Sequence, residues 1–334
     1  MRQENVRRLI SIGLLLILLI VFGFTTDNFF SGANLLNILR ECSVIGIIAI
    51  GATMVIITGG IDLSTGANLG ISAMICARLL YYYQLPSPAI IVLALLIGTL
   101  VGFLNGILVA HFRLPDFIAT LSTQFIFRAL MLITAIKEDG SIVNKVIKDR
   151  GILVWGGSIN GVYLVTIAFI LLAILGQIFL KCTKPGVYIY ATGANRKSAD
   201  LSGINTARVK VAVFAITGFL CGIGALFTMG RVGSVTTDTG TGFEFDAISA
   251  AVIGGCALSG GRGDVMGSVI GAIFMAVLQN GIYKYNVPTA TQLIVKGVVI
   301  VLMVIFDSVY DQHQQRQIME KARQDEERLV GGEV

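Results

Sequence analysis

The stretch GGIDLSTG (residues 59–66) lies between two apolar runs, VIGIIAIGATMVIIT (44–58) and ANLGISAMICARLL (67–80). Its glycines suit a tight turn between closely packed helices. The carboxyl group of Asp62 and the hydroxyl of Ser64 need another explanation, because polar groups in apolar surroundings cost free energy unless they are hydrogen-bonded. Either side chain could cap the following helix, or the stretch could be a functional break between two buried helices.

The composition indicates that the chain lies in a membrane. Hydrophobic residues make up 55% of the 334 residues and charged residues only 13%, about half the charged share of a soluble domain. Apolar runs long enough to cross a bilayer, which takes about 20 residues, recur throughout. The first run is followed by TTDNFF (25–30) rather than a cleavage site, so we interpret it as a retained span. The chain is therefore predicted to be a polytopic membrane protein.

Hydropathy predicts an all-α bundle of about ten transmembrane helices. The second and eighth segments are short for a full crossing, as broken helices at a transport site often are. Residues 1–306 would form the transmembrane permease domain, and the polar residues 307–334 a cytoplasmic C-terminal tail. The ten segments lie near 9–26, 44–58, 63–82, 89–110, 116–136, 162–180, 209–229, 246–259, 265–281 and 292–306.

The basic residues predict the orientation, because Lys and Arg favour cytoplasmic loops. The loop 181–210, between the sixth and seventh segments, holds six basic residues and one acid. It is placed in the cytoplasm with the N-terminus, and an even number of spans returns the C-terminus there. Residues 137–150, with four basic residues, fit their assigned external location less well. The net charge of +5 is interpreted as a topology signal, not as a sign of nucleic-acid binding.

Two halves of the chain share an order of features. The tripeptide Asn-Gly-Ile occurs at 105–107 and again at 280–282, each time followed by a proline that opens the next apolar segment. An acid, Asp62 or Asp246, precedes a short-helix junction in each half. We predict inverted repeats of segments 2–5 and 7–10, an architecture in which the substrate path lies at the interface of the halves.

The chain carries no recognisable catalytic or metal-binding motif. It has no GxxxxGK[ST] phosphate loop and no HExxH, and its five cysteines are widely spaced. Its two histidines, His111 and His313, both flank membrane segments, which excludes a histidine base inside the bilayer. We expect no catalytic residue, no metal and no cofactor in this chain.

A small set of polar residues within the apolar segments is the candidate substrate path. Hydroxyl and amide groups suit a polyhydroxylated solute, which exchanges water for hydrogen bonds as it crosses. Structural alternatives remain open: Asn105 and Asn280 could join helices, and Arg128 could form an ion pair with a nearby acid. The candidates are Asp62, Ser64, Asn68, Asn105, Thr120, Gln124, Asp246 and Asn280.

The stretch KPGVYIYATGANRKSADLSGINTARVK (184–210) is long for a connector, and loops of that size are usually functional. Gly193 and Gly203 bracket a segment of helical character and mixed charge. We predict a short helix across the cytoplasmic face that docks a soluble partner.

Eight stretches resemble the permease subunits of bacterial ATP-binding-cassette (ABC) importers for monosaccharides, the ribose, galactose, xylose and autoinducer-2 group. They run in order over nearly the whole chain. The stretches are ANLLNILRE (33–41), VIITGGIDLSTG (55–66), GFLNGILVA (102–110), LPDFIATLST (114–123), YATGANRKSADLSGIN (190–205), FEFDAISAAVIGGCALSGGRGDVMGSVIGA (243–272), QNGI (279–282) and QLIVKGVVIVLMVIFD (292–307).

The resemblance implies partners and a mechanism. Two permeases, identical or different, would form the pore in the bacterial cytoplasmic (inner) membrane. A separate cytoplasmic ABC ATPase would hydrolyse ATP with Mg²⁺, and an extracytoplasmic sugar-binding protein would deliver a monosaccharide or similar small polyol. The stretch GANxxxAxxSGI would form the coupling helix seated on the ATPase. Its residues here are Gly193, Ala194, Asn195, Ala199, Ser202, Gly203 and Ile204.

A stand-alone transporter, either a facilitator or an ion-coupled secondary carrier, is the alternative function. An intramembrane transferase is disfavoured, because the sequence contains no clustered Asp motif for a Mg²⁺-diphosphate. The sequence does not identify the sugar, which the binding protein usually selects.

Overall fold

The computed structural model describes residues 2–136 and 145–302, together with residues 304, 305 and 309. Residue contacts divide the chain into two compact units, residues 1–285 and 286–334. The cytoplasmic tail predicted from residue 307 onward falls almost entirely outside the described residues, so the boundary near residue 306 stays a prediction.

The described part of the first unit is a bundle of helices with two short antiparallel strand pairs. Strand β1 (Lys145–Val146) pairs with β4 (Ser234–Val235), and β2 (Ser158–Ile159) pairs with β3 (Val162–Tyr163). The second unit contains the apolar helix α13 (Thr289–Leu302). The helices of the first unit are α1 (Arg2–Thr25), α2 (Gly32–Ile57), α3 (Thr65–Tyr83), α4 (Ser87–Ala110), α5 (Asp116–Ala135), α6 (Arg150–Leu153), α7 (Leu164–Cys182), α8 (Lys184–Ala194), α9 (Arg196–Leu201), α10 (Thr206–Val232), α11 (Phe243–Ile253) and α12 (Val265–Lys284).

Six of these helices are long and apolar enough to cross a membrane, namely α2, α4, α5, α7, α10 and α12. The all-α membrane class is thereby confirmed, whereas the count of ten spans stays a prediction. Helix α11 has only 11 residues, as expected for a short eighth segment.

The prediction of a short second segment is wrong, because α2 has 26 residues and begins at Gly32. The hydroxyl of Ser31 caps it by accepting a hydrogen bond from the Asn34 amide (3.4 Å). Polar residues in the first turns of α2 lower the local hydropathy and hide the start of the helix. The side chain of Asn34 is nevertheless satisfied inside the protein, since its Nδ2 donates to the Phe29 carbonyl (2.8 Å) and to Asn280 (3.0 Å).

Helix α10 runs from one end of the bundle to the other. It follows α9 at one end and leads into β4 at the other, and its 27 residues correspond to about 40 Å. We call these the α8–α9 end and the β1–β4 end. The pairing of β1 with β4 places residues 145 and 146 opposite α8–α9, as the predicted topology requires.

Glycines allow α4 and α10 to pack backbone against backbone. A Cβ atom at Gly98 would overlap the Gly218 carbonyl oxygen, and a Cβ atom at Gly102 would overlap the Phe214 carbonyl oxygen. Because lipid is as apolar as the side chains, close contact rather than hydrophobic burial holds such helices together. This explains why a chain of mostly apolar residues needs glycine at these positions.

The helix contacts of the bundle are mirrored. Helix α2 packs against α10, α11 and α12, whereas α10 packs against α2, α3 and α4. Exchanging α2 with α10, α3 with α11 and α4 with α12 turns one of these sets of three neighbours into the other, although α2 also packs against α7.

A buried ion pair joins the start of α5 to α10. The Nζ atom of Lys210 lies 2.8 Å from Oδ2 and 3.1 Å from Oδ1 of Asp116, and the two side chains are only 9% and 16% exposed. Helix α10 begins at Thr206, three residues before the predicted start of the seventh segment near 209, so Lys210 lies in its first turns.

Lys210→Met should lower the free energy of unfolding by about 3–5 kcal/mol, because it leaves the Asp116 carboxylate buried without its counter-ion. The double variant Asp116→Asn/Lys210→Met should recover much of this loss. The free energy would be measured by SDS titration in mixed micelles. As a control, Arg231→Met breaks the half-exposed pair with Glu41 and should cost less than about 1 kcal/mol; equal losses for the two single variants would contradict the prediction.

Candidate functional site

The stretch 58–64 is an irregular break between α2 and α3 whose backbone is hydrogen-bonded within the protein. The carbonyl of Ile57 accepts a hydrogen bond from the Gly261 amide (2.8 Å). The Leu63 amide donates to the Thr120 hydroxyl of α5 (3.1 Å). Internal partners of this kind are needed because lipid offers none to irregular backbone.

Hydrogen bonds between polar side chains stabilise the conformation of this break. The amide and the hydroxyl of Ser64 both donate to Oδ1 of Asp62 (2.9 and 2.6 Å), and Nδ2 of Asn105 donates to the same hydroxyl oxygen (2.7 Å). All three residues are at most 4% exposed. The side chain of Ser64 makes no capping bond to α3, so its predicted capping role is wrong. The hydroxyl instead fixes the carboxylate of Asp62.

A second break precedes α11. Between α10 and α11 the chain passes through β4 and turns in which Gly240 and Gly242 adopt positive φ angles of 77° and 83°. Helix α11 then begins with Glu244 and Asp246 in its first turn, each 2% exposed. The dipole at a helix N-terminus stabilises carboxylates, which offsets part of the free-energy cost of burying them.

Gly66, the last residue of GGIDLSTG, brings the two breaks into contact. A Cβ atom at this position would overlap the Glu244 carboxylate and the Gly240 carbonyl oxygen. One turn along α3, a Cβ atom at Gly70 would lie 2.6 Å from the Thr239 carbonyl oxygen. The start of α3 therefore packs directly on the segment that enters α11.

Helix α5 completes this contact with two polar side chains. Nε2 of Gln124 donates to Oε1 of Glu244 (2.9 Å), and Nη1 of Arg128 donates to the Thr239 carbonyl (2.8 Å). Arg128 also interacts electrostatically with Glu244 and Asp238. Its 2.8 Å hydrogen bond is to a carbonyl and not to an acid, so the ion pair of the structural alternative stays a prediction.

Four residues at this contact carry a buried polar atom that has no hydrogen-bond partner in the described part of the chain. Buried polar atoms are nearly always satisfied, so such a concentration indicates where a polar solute or water supplies the missing bonds. We call this set the polar cluster. Its atoms are Thr65 Oγ1, Gln124 Oε1, Arg128 Nη2 and Glu244 Oε2. Within the same described ranges, no three His, Cys, Asp or Glu side chains are grouped to hold a metal ion.

Two of the candidate residues form hydrogen bonds between helices away from the polar cluster. Nδ2 of Asn68 donates to the Gly98 carbonyl (3.0 Å) and joins α3 to α4. Oδ1 of Asn280 accepts from Asn34 (3.0 Å) and joins α12 to α2. The structure therefore brings Asp62, Ser64, Asn105 and Thr120 together at the first break and places Gln124 and Asp246 at the second. Asn280 makes the interhelical bond that its structural alternative describes, and Asn68 makes one that was not predicted from the sequence.

The predicted docking segment forms two consecutive helices, α8 and α9. Asn195 ends the first and begins the second, and its side chain accepts a hydrogen bond from the Ser198 amide (3.0 Å). Gly203 follows α9 with a φ angle of 83°. Gly193 lies inside α8, so the prediction that it brackets the helix is wrong. Of the coupling candidates, Ala194, Asn195, Ser202 and Gly203 are exposed, Gly193 and Ile204 are half-buried, and Ala199 is buried.

Helix α8 touches the end of α2, next to the first break, and the turn at the C-terminal end of α11. A Cβ atom at Gly193 would overlap the Ile57 carbonyl oxygen and lie 2.7 Å from the Gly261 amide. The hydroxyl of Tyr190 donates to the Gly263 carbonyl (2.7 Å). The docking segment thus contacts the end of α2 and the turn 254–264 that follows α11.

The candidates inferred from the sequence omit two prominent residues, Glu244 and Leu201. Glu244 stands two positions before Asp246 in FEFDAIS, and an acid in an apolar run is the same signal that singles out Asp62. Leu201 interrupts the polar stretch RKSADLS (196–202), and its side chain is 91% exposed on α9. A single large apolar residue within that mostly polar stretch is the signal that could have identified it.

Gly66→Ala tests the contact between the two breaks. The added methyl group overlaps Glu244 and Gly240, so α3 and α11 must separate, and we expect the free energy of unfolding to fall by about 1–3 kcal/mol. SDS titration in mixed micelles measures the change. Gly13→Ala on α1 is the control, because its Cβ atom meets nothing within 4 Å. Unchanged stability of Gly66→Ala would rule out the close contact.

Comparisons with known proteins identify the family. Residues 34–304 match the family described as branched-chain amino acid transport system / permease component. The chain is 39% identical to the ribose import permease of Haemophilus influenzae over 298 residues, which cover 88% of this chain and 91% of the relative. It is 37% identical to the ribose import permease of Bacillus subtilis over 294 residues (88% and 90%). Its identity to the xylose transport system permease of Escherichia coli K12 is 31% over 366 residues (92% and 93%). The resemblance seen in the sequence is thereby confirmed, and the chain belongs to this family of multi-pass permeases of the bacterial inner membrane.

Proposed function

We propose that this chain is the permease subunit of an ABC importer that carries a monosaccharide or similar small polyol across the cytoplasmic membrane. The observation that carries the proposal is the meeting of two helix breaks at a buried polar cluster inside an apolar bundle. Broken helices offer the hydrogen-bonding groups that a polar solute needs at membrane depth. The ribose and xylose permeases among the relatives favour a sugar as the cargo.

The polar cluster suits a hydroxylated solute better than a simple ion. Arg128 Nη2 and the Thr65 hydroxyl can donate, whereas Gln124 Oε1 and Glu244 Oε2 can accept. A sugar hydroxyl both donates and accepts, so one solute can satisfy atoms of both kinds. Asp62, which is hydrogen-bonded to Ser64, would hold the break beside the path rather than contact the sugar.

Energy would come from a separate ATPase chain that docks on α8 and α9 from the cytoplasm. Movement of this segment would reach the first break through the contact of Gly193 with the end of α2, and it would reach the C-terminal end of α11 through the contact of Tyr190 with Gly263. The path would then open to one side of the membrane or the other without any covalent step on this chain.

The two halves of the bundle would be inverted repeats. The mirrored neighbours of α2 and α10 support this arrangement, as do the two breaks, one before α3 and one before α11.

A second permease copy or a related chain would complete the pore. An extracytoplasmic sugar-binding protein would dock at the β1–β4 end, with both termini of this chain in the cytoplasm.

Gln124→Ala should lower ATP-driven uptake of ribose or xylose about tenfold or more, because it removes a bond to a buried carboxylate. Uptake would be measured in proteoliposomes that hold the permease, its ATPase and its binding protein. Gln279→Ala, at an exposed position of α12, is the matched control and should transport normally. Sugar uptake by the permease without the ATPase would overturn the proposed function in favour of a stand-alone carrier.

Leu201→Asp should weaken binding of the ATPase by about tenfold or more, since a buried leucine contributes about 1.5–3 kcal/mol. Titration of the purified ATPase against the permease in nanodiscs measures the affinity. The control changes another exposed leucine, Leu175 on α7, which is 52% exposed. It is replaced by Ala, because Asp at this position would place a charge against lipid. Unchanged ATPase affinity for Leu201→Asp would contradict the docking role of α9.

A further inference from the structure

A groove of about 670 Å³ runs between α4 and α10 at the α8–α9 end. Phe103 and Ile107 on α4 form one wall, and Ala212 and Ala215 on α10 form the floor opposite. The groove exists because α10 presents small side chains where α4 presents large ones. Its volume lies within the roughly 300–1,000 Å³ of pockets that hold small ligands.

The groove is apolar along its length and cationic at its mouth. Arg208 and His111, both exposed, line it at the α8–α9 end. The side chain of Arg208 has no ion-pair partner in the described ranges. The nearest carboxylate along α5, Asp116, is already neutralised by Lys210 (2.8 Å), and Asp200 on α9 accepts a hydrogen bond from Thr206 (2.7 Å). The guanidinium of Arg208 is therefore left at the mouth without an ion pair in the described part of the chain.

This polarity matches one class of molecule. A glycerophospholipid has long apolar chains and a phosphate at one end, and basic residues near the cytoplasmic leaflet attract anionic headgroups. The groove lies between two helices that are long and apolar enough to span the membrane, α4 and α10. A second protein helix would fit the apolar walls equally well, but it would leave Arg208 without a partner.

We propose that the groove binds one acyl chain of an anionic glycerophospholipid from the cytoplasmic leaflet, with the phosphate held by Arg208 and His111. The lipid would pack against α4 and α10 one turn from the start of α10, close to α9. The position of α10 beside the docking segment would then depend on which lipids the membrane contains. The proposal rests on the membrane location of the family and on the proposed cytoplasmic location of the α8–α9 end, and not on the proposed sugar cargo.

The test measures phospholipid retained by the purified full-length chain. The protein is delipidated in mild detergent and titrated with phosphatidylglycerol or with phosphatidylcholine of the same acyl chains, and bound lipid is counted by native mass spectrometry. We expect phosphatidylglycerol to bind with at least about fivefold preference, because one basic residue contributes about 1 kcal/mol with an anionic headgroup, whereas the choline of phosphatidylcholine offsets the charge of its phosphate. Equal retention of the two lipids would overturn the proposal.

Two variants address the two parts of the site. Arg208→Gln removes the charge and should abolish the fivefold preference, whereas Ala212→Leu fills the groove and should reduce binding of both lipids. The matched controls are Lys197→Gln on α9 and Ala129→Leu on α5, which change exposed residues outside the groove. Unchanged lipid binding in either groove variant would contradict the site.

A further outcome distinguishes the competing occupant. In membranes, Ala212→Cys should be labelled by a lipid-soluble maleimide, and added phosphatidylglycerol should slow the labelling. A disulfide-linked dimer through residue 212 would instead show that a second copy of the chain covers the groove, and it would overturn the proposal. Slowing by free inorganic phosphate alone, without lipid, would also count against it.

Discussion

The rest of the structure depends on one constraint: a helix that breaks inside an apolar bundle must find hydrogen-bond partners for its backbone within the protein. Each unsatisfied backbone group in hydrocarbon costs several kcal/mol. At the break 58–64 the partners come from distant parts of the chain, namely the Thr120 hydroxyl of α5 and the Gly261 amide beyond α11. The break therefore holds α2, α3, α5 and the turn 254–264 in one fixed arrangement, and the candidate path lies beside it.

Glycine makes the contacts that this arrangement needs. At Gly66 the facing atoms are a carboxylate and a carbonyl oxygen, and at Gly193 they are a carbonyl oxygen and an amide. No other residue lets polar groups of two segments approach so closely, because any Cβ atom would occupy the same space. The same two positions connect the start of α3 to α11 and the docking segment to the end of α2. Packing and the proposed coupling are thus carried by the same contacts.

Hydrogen bonding separates the polar residues into two groups. Asp62, Asn68 and Asn280 are bonded to Ser64, Gly98 and Asn34 respectively, so their burial is explained by the fold alone. The polar cluster retains buried donors and acceptors that the described chain does not satisfy. An unmade buried hydrogen bond costs about 1–3 kcal/mol, and a bound polar solute or water that completes these bonds would recover that cost. This difference, rather than polarity itself, is the ground on which the path is proposed at the polar cluster.

The sequence by itself determined the membrane class, the family and most helices, because these follow from composition, run length and ordered motifs. It also singled out both breaks, through Asp62 and Asp246. Only the tertiary structure decided the true length of α2, whose polar first turns are satisfied by Asn280 far along the chain. Tertiary contacts likewise removed Asn68 and Asn280 from the group at the breaks and added Glu244, which Gln124 contacts across 120 residues of sequence. The physical reason is that a polar residue in an apolar segment predicts that a hydrogen bond is made, whereas its partner depends on which segments the fold brings together.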